Sequence, residues 1–234
     1  MWVVFIAMVL VTVINALKPH SVDFLFFSLP IVLLSLHSAL TLGYKRAALF
    51  FIISVGVGTI AELIGLHFGL IFGGQYAYKP SSFMFAGLPL MVPLYWAVFI
   101  YTGYSLTNSL LVWLKRHKPL TYPDLILLVI LDALAITAID IIMDPLAVSE
   151  GRWQWLNGGP YYGIPIGNFV GWFLVAATAT LIFRCIELLK PKSLPTNLST
   201  HLIPPLAYAL LCFTLVYQAI IANKIELAMI GLFA

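Results

Sequence analysis

Charge is what this sequence has least of. Only 9% of its 234 residues are Asp, Glu, Lys or Arg, against about 25% in an average soluble domain, and the mean hydropathy is +1.03. So few charged side chains cannot cover a water-facing surface, which excludes a soluble globular protein. A net charge of +3 also excludes the strongly basic surface that nucleic acids require, so no nucleic-acid partner is expected. Cysteine is scarce too: Cys185 and Cys212 have no metal or redox spacing and read as packing residues. No two of the five histidines stand four apart, the spacing of a helical metal site. His37 and His67 read as hydrogen-bonded packing residues, and neither a metal nor another cofactor is expected. No connection is large enough to form a soluble core, so residues 1–234 read as a single integral-membrane domain.

Apolar runs are what the chain has in abundance. A hydrocarbon core about 30 Å thick takes roughly 20 apolar residues to cross. Seven runs qualify or come close: residues 2–17, 24–42, 47–72, 90–114, 122–144, 164–189 and 202–222. The fold class expected is all-α, a polytopic transmembrane helix bundle with about seven spans. The first run is short, but no Lys or Arg precedes it as in a signal peptide, so it reads as a retained helix. Residues 225–234 are too few to cross again.

Basic residues set the orientation. Lys45 and Arg46, then Lys115, Arg116 and Lys118, then Lys190 and Lys192 follow the even-numbered runs. Lys18, Lys79, Arg152 and Lys224 follow the odd ones singly. This bias predicts a cytoplasmic N-terminus. Two connections rich in aromatic residues, glycine and proline, residues 72–96 and 144–169, both follow odd runs and are expected together on the outer face.

Acids inside spans cost several kcal/mol and mark functional sites by default. Glu62 lies among Gly58, Gly65, Gly69 and Gly73 at spacings of three, four and seven, on one helical face. Such a stripe suits close helix packing, or a flat, rigid ligand. Asp132, Asp140 and Asp144 follow i, i+8, i+12 and fall within about a third of a helix circumference. Glu62, Asp140 and Asp144 are therefore expected to converge in the outer half of the bilayer. Asp132, deeper, fits a structural role equally well, and Asp144 can also cap the loop through its Asp-Pro bond. Arg184 and Glu187, three apart, read as a snorkelling ion pair at the cytoplasmic end. Asn168 and Trp172 face the same way at the start of the sixth run. Asn168 suits positioning a water or a carboxylate, or capping the helix.

A carboxylic acid in an apolar setting can hold its proton at neutral pH and serve as a general acid. Protonating an isolated trisubstituted alkene makes a tertiary carbocation, which the faces of Trp and Tyr rings stabilise. A second carboxylate can steer water onto the cation and take its proton. These residue types alone leave hydration, isomerisation and cyclisation open.

Three segments carry a resemblance: "AELIGLHFGLIFGGQYAY" (residues 61–78), "LPLMVPLYW" (88–96) and "DPLAVSEGRWQWLNGGPYYGIPIGNFVGW" (144–172). They resemble the membrane-bound carotenoid biosynthesis proteins, a family that includes carotenoid 1,2-hydratases of the γ-carotene type and bisanhydrobacterioruberin hydratase. The resemblance implies water addition across the terminal C=C of an acyclic carotenoid end, without a redox cofactor, in a prokaryotic cell membrane. Its partners would be the carotenoid, water and membrane lipid. Under this reading Glu62, Asp140 and Asp144 supply the acid and base. Tyr76, Tyr78, Trp96, Trp153, Trp155, Tyr161, Tyr162 and Trp172 are candidate walls for the substrate, and Asn168 is the water positioner. Two other readings compete. Intramembrane acids also serve proton-coupled transporters, yet "GGQYAY" against "GGPYYG" is too short an echo for their internal repeat. A retinal protein needs a mid-helix lysine, and Lys224 lies at the end of the last run.

Overall fold

The computed structural model describes residues 1–81, 83–114, 121–190 and 197–233. Lys115, Arg116, Lys118 and Lys192, four of the basic residues used for orientation, lie outside them. Eight helices form among the described residues: α1 (Trp2–Leu17), α2 (Asp23–Leu42), α3 (Tyr44–Phe68), α4 (Met91–Trp113), α5 (Tyr122–Ser149), α6 (Ile166–Leu189), α7 (Leu198–Ile221) and the short α8 (Ile225–Gly231). The chain is an α-helical bundle in which five helices, α2, α3, α5, α6 and α7, are long and apolar enough to cross a membrane. The expected count of seven is met only in helix positions, because α1 has 16 residues and α4 is outside that set. A packing reason accounts for α4. It touches α2, α3, α5, α6 and α7, and its residues from Trp96 to Asn108 are mostly buried. Neighbouring helices shield it from lipid, so its Tyr, Thr, Ser and Asn side chains find protein partners.

Several expected boundaries move, two of them at the acids. α3 stops at Phe68, where Gly69 takes the left-handed conformation (φ 67°) and its N–H bonds the Gly65 carbonyl, a helix end that glycine favours. Gly69 and Gly73 therefore leave the expected stripe. What remains of it packs against the protein's own rings: a Cβ on Gly58 would meet Trp96 Cγ at 2.5 Å, and one on Gly65 would meet Phe72 Cδ2 at 2.6 Å. The close helix packing expected of such a stripe is what these two glycines permit.

α5 runs past Asp144 and through Pro145 to Ser149, so Asp144 is an interior helical residue and not a loop cap. Proline lacks the N–H that would bond four residues back, and a stranded carbonyl is costly in an apolar bundle. The Tyr161 hydroxyl donates to that carbonyl, Ile141 O, at 3.1 Å. The same device recurs in α7, where Pro204 frees Thr200 O and His37 Nε2 bonds it at 3.1 Å. His37 thus has the packing role expected of it, with Tyr101 Oη at 2.7 Å on Nδ1.

The aromatic connections are more ordered than loops. β1 (Tyr76–Tyr78) pairs antiparallel with β4 (Trp153–Trp155), placing Tyr76 opposite Trp155 and Tyr78 opposite Trp153. β2 (Met84–Phe85) and β3 (Leu88–Pro89) form a small hairpin. These short strands are additions to the all-α architecture expected. Before β1 the chain crosses the start of α6 so tightly that a Cβ on Gly167 would lie 2.7 Å from Gly73 Cα.

Candidate active site

The ladder, α3, α4, α5 and the first turn of α6 enclose three acids. Glu62 is 4% exposed, Asp140 0% and Asp144 2%. Glu62 Oε2 accepts from Tyr76 Oη at 2.6 Å and from Tyr78 Oη at 2.9 Å, and its Oε1 accepts from Trp96 Nε1 at 2.9 Å. An ionised carboxylate offers about four acceptor sites, so three donors nearly saturate it. Tyr76 and Tyr78 come from the ladder, and Trp96 from the first turns of α4. Burial, and after it the Glu62 carboxylate, pushes both phenols well above their ordinary range. They remain donors.

Asp140 and Asp144 are one helical turn apart on α5. The Asn168 amide bridges them, its Nδ2 donating to Asp140 Oδ2 at 2.9 Å and to Asp144 Oδ2 at 2.7 Å. Asn168 therefore positions carboxyl groups, one of the roles open to it in the sequence. One amide thus ties the two carboxyl groups together. Asp140 Oδ1 is buried and receives no N–H or O–H donor.

Aromatic rings pack around these groups. Trp96 and Trp172 lie 4.3 Å apart between centroids, and Phe72 stacks on Trp96 at 6.3 Å. Tyr76 leans on Trp155 at 5.5 Å, and Tyr78 meets Trp153 edge-on at 5.7 Å. Of the residues singled out in the sequence, Glu62, Asp140, Asp144, Tyr76, Tyr78, Trp96, Trp153, Asn168 and Trp172 come together here. Trp155 faces the group through Tyr76, while its indole N–H donates to Phe72 O at 3.1 Å. Tyr161 lies next to the group, its hydroxyl bonded to the α5 backbone beside Asp140 and to none of the acids. Tyr162 does not join it; it is 36% exposed and lies beneath the Lys224 ammonium. Phe72 belongs to the set and was missed. Nothing but its place before "GGQYAY" marked it.

Asp132 falls outside this group. Arg184 Nε donates to its Oδ2 at 2.6 Å and Nη2 to its Oδ1 at 2.8 Å, with Thr107 Oγ1 donating to Oδ1 as well. Arg184 is fully buried and lies over the Tyr104 ring, and Tyr104 donates to Glu187. The expected snorkelling pair with Glu187 is corrected: Arg184 turns inward because a buried Asp132 offers it a bidentate partner. Among the described residues, no three His, Cys, Asp or Glu side chains stand close enough together to hold a metal ion.

A family model described as "Carotenoid biosynthesis protein" matches residues 20–234. The chain is 27% identical over 124 residues to bisanhydrobacterioruberin hydratase of Haloarcula japonica, an alignment covering 52% of this chain and 39% of that protein. The match thus spans about two fifths of that relative's length. No solved structure matches.

Proposed function

Since the chain belongs to the carotenoid biosynthesis protein family, we propose that it is a cofactor-independent hydratase, adding water across the terminal C=C of an acyclic carotenoid end group. The observation that carries this reading is the enclosure of three acids beneath Trp and Tyr rings, with donors but no cation among their hydrogen-bond partners. Such a site can release a proton and then shelter a carbocation.

The two kinds of acid divide the work. Asp140 and Asp144 share the Asn168 amide, and two carboxyl groups so placed in a buried site hold one proton between them, because a second negative charge there is disfavoured. That shared proton is delivered to the less substituted alkene carbon as the π pair forms the new C–H bond. The tertiary cation left behind faces Trp96 and Trp172, whose ring faces attract positive charge. Glu62, held by three donors, acts as the anion. It draws water to the cation and takes the water's proton as the C–O bond forms. Water then returns that proton to the aspartate pair, and the net change is alkene plus water to tertiary alcohol. The molecule is read as a single domain with seven spans, α1–α7, in a prokaryotic cell membrane with its N-terminus in the cytoplasm. A polyene about as long as the bilayer is thick then presents its end near an interface, within reach of water.

Pigment analysis tests the reading. Cells making an acyclic carotenoid should gain one water per modified end when the protein is present, with polyene absorption unchanged. Glu62→Gln and Asp140→Asn should abolish the product in protein that still inserts. No mass change on lycopene-type or longer substrates refutes the reaction, and full activity in both variants refutes the site. Substrate-dependent proton flux in sealed vesicles, with pigments unchanged, would favour a proton-coupled transporter.

A further inference from the structure

The acids are almost sealed, so an end group must have a way in. One open depression, about 270 Å³, adjoins them. Its walls include Tyr78, Pro80, Ser81, Pro89, Val92 and Trp153, with Lys79 and Arg152 at its edge. One of these residues also reaches the acids, Tyr78, whose hydroxyl donates to Glu62, and Trp153 packs against it. They are opposite each other in the ladder and their rings are in contact. A single rung of the β1–β4 ladder therefore lines the depression and also bonds Glu62.

The surroundings identify the visitor. Beside the depression, the hairpin that supplies Pro89 exposes Phe83 (75%) and Phe85 (62%), and Leu90 and Met91 after it are exposed as well. Exposed aromatic and aliphatic side chains of this kind mark a membrane interface. Lys79 and Arg152 can extend their charged ends toward lipid headgroups while their stems line apolar surface. A mouth flanked in this way opens to lipid, the phase in which an acyclic polyene dissolves.

We propose that this depression is the lipid-side entrance for the polyene end group, and that the Tyr78–Trp153 rung is its gate, swinging aside to admit the terminal alkene to Glu62 and Asp144. The proposal rests on the hydratase reading for the identity of the substrate. The gate also sets specificity. An end group has to be slim and free of bulky rings to pass between two aromatic side chains, so acyclic ends enter and cyclised ends do not.

Single thiols at the mouth test this. With Cys185→Ser and Cys212→Ser as background, Ser81→Cys and Val92→Cys place one thiol on each of two walls. Each variant, in proteoliposomes, is compared with itself before and after reaction with a bulky maleimide or with small methyl methanethiosulfonate. The bulky adduct should slow conversion of a lycopene-type carotenoid at least about tenfold, as expected when entry becomes limiting, and the small adduct should slow it less. Separately, saturating lycopene should slow the maleimide reaction about tenfold by occupying the mouth, a readout that needs no turnover. Unchanged conversion after bulky labelling overturns the entrance, and so does labelling that the carotenoid does not slow. If the unmodified protein converts no carotenoid, the hydratase reading fails, and protection of the thiols still decides the entrance by itself.

Discussion

Replacing Asp132 by Asn separates this acid from those proposed to react. Asp132 and Arg184 have side chains 0% and 1% exposed and share two hydrogen bonds, so Asp132→Asn leaves a guanidinium charge in the bundle without its counter-ion. Breaking a buried pair by removing one partner costs about 3–5 kcal/mol. At about 2–4 °C per kcal/mol for a chain of this size, the apparent melting temperature should fall by roughly 6–20 °C. Arg184→Met alone should cost a similar amount, since it strands the carboxylate instead. The double variant Asp132→Leu/Arg184→Met should recover much of the loss, because removing both charges removes the desolvation penalty along with the attraction. Thr107, Asn108 and Tyr104 would still lose contacts to the pair, so recovery stays incomplete. Thermal unfolding of purified protein in detergent, followed by far-ultraviolet circular dichroism, gives the three shifts. Pigment conversion below the lowered melting point should continue in Asp132→Asn. A variant that melts like the parent but makes no product would refute the reasoning and place Asp132 among the reacting acids.

Other outcomes follow from the same geometry. Gly167→Ala puts a methyl 2.7 Å from Gly73 Cα, where backbone cannot yield, and should cost on the order of 1–3 kcal/mol; a melting temperature equal to the parent's would show that the crossing is looser than described. Tyr162→Ala should keep near-parental conversion, since Tyr162 faces Lys224 and not the acids, and a large loss of product would bring it back into the site. Tyr76 and Tyr78 have raised values through burial and Glu62, and an acid whose value is raised keeps its proton to higher pH. The activity profile should then lack an alkaline fall near the ordinary phenol value of about 10; such a fall, present in the parent and lost in Tyr78→Phe, would contradict this.

The sequence placed the helices well where hydropathy alone decides, and less well where partners are distant in the chain. Runs 2–17 and 122–144 start where α1 and α5 start, because exclusion of lipid-facing polarity is a local property. The end of α5 was misplaced because Pro145 reads locally as a stop. Its tolerance depends on Tyr161, which bonds the freed Ile141 carbonyl from twenty residues further along the chain. Arg184 was misread for a similar reason: Glu187 is three residues away, whereas the partner it takes, Asp132, is 52 residues back. An unpaired mid-helix acid and an Arg within another span were the available clue, since each needs an opposite charge. The ladder had a signal too. Tyr-Ala-Tyr and Trp-Gln-Trp alternate with the period of a strand, and the alternation is what sends Tyr76, Tyr78 and Trp155 to one side. The convergence of Glu62, Asp140 and Asp144 was legible because helical spacing and loop sidedness both pointed to one end of the bundle.

The two buried acid clusters resolve their charge in opposite ways. Asp132 is neutralised by a guanidinium with two hydrogen bonds, an arrangement that is closed, since any proton or ligand would have to displace Arg184. Glu62, Asp140 and Asp144 are bonded to Tyr76, Tyr78, Trp96 and Asn168, all neutral donors. Neutral donors stabilise negative charge without cancelling it, so the cluster stays attractive to a proton and to a passing cation. A bundle built only for stability would gain from an apolar core at both places. The proposed hydratase reading gives the cluster beside the ladder a use that stability does not: positive charge arrives there, first as a proton and then on carbon.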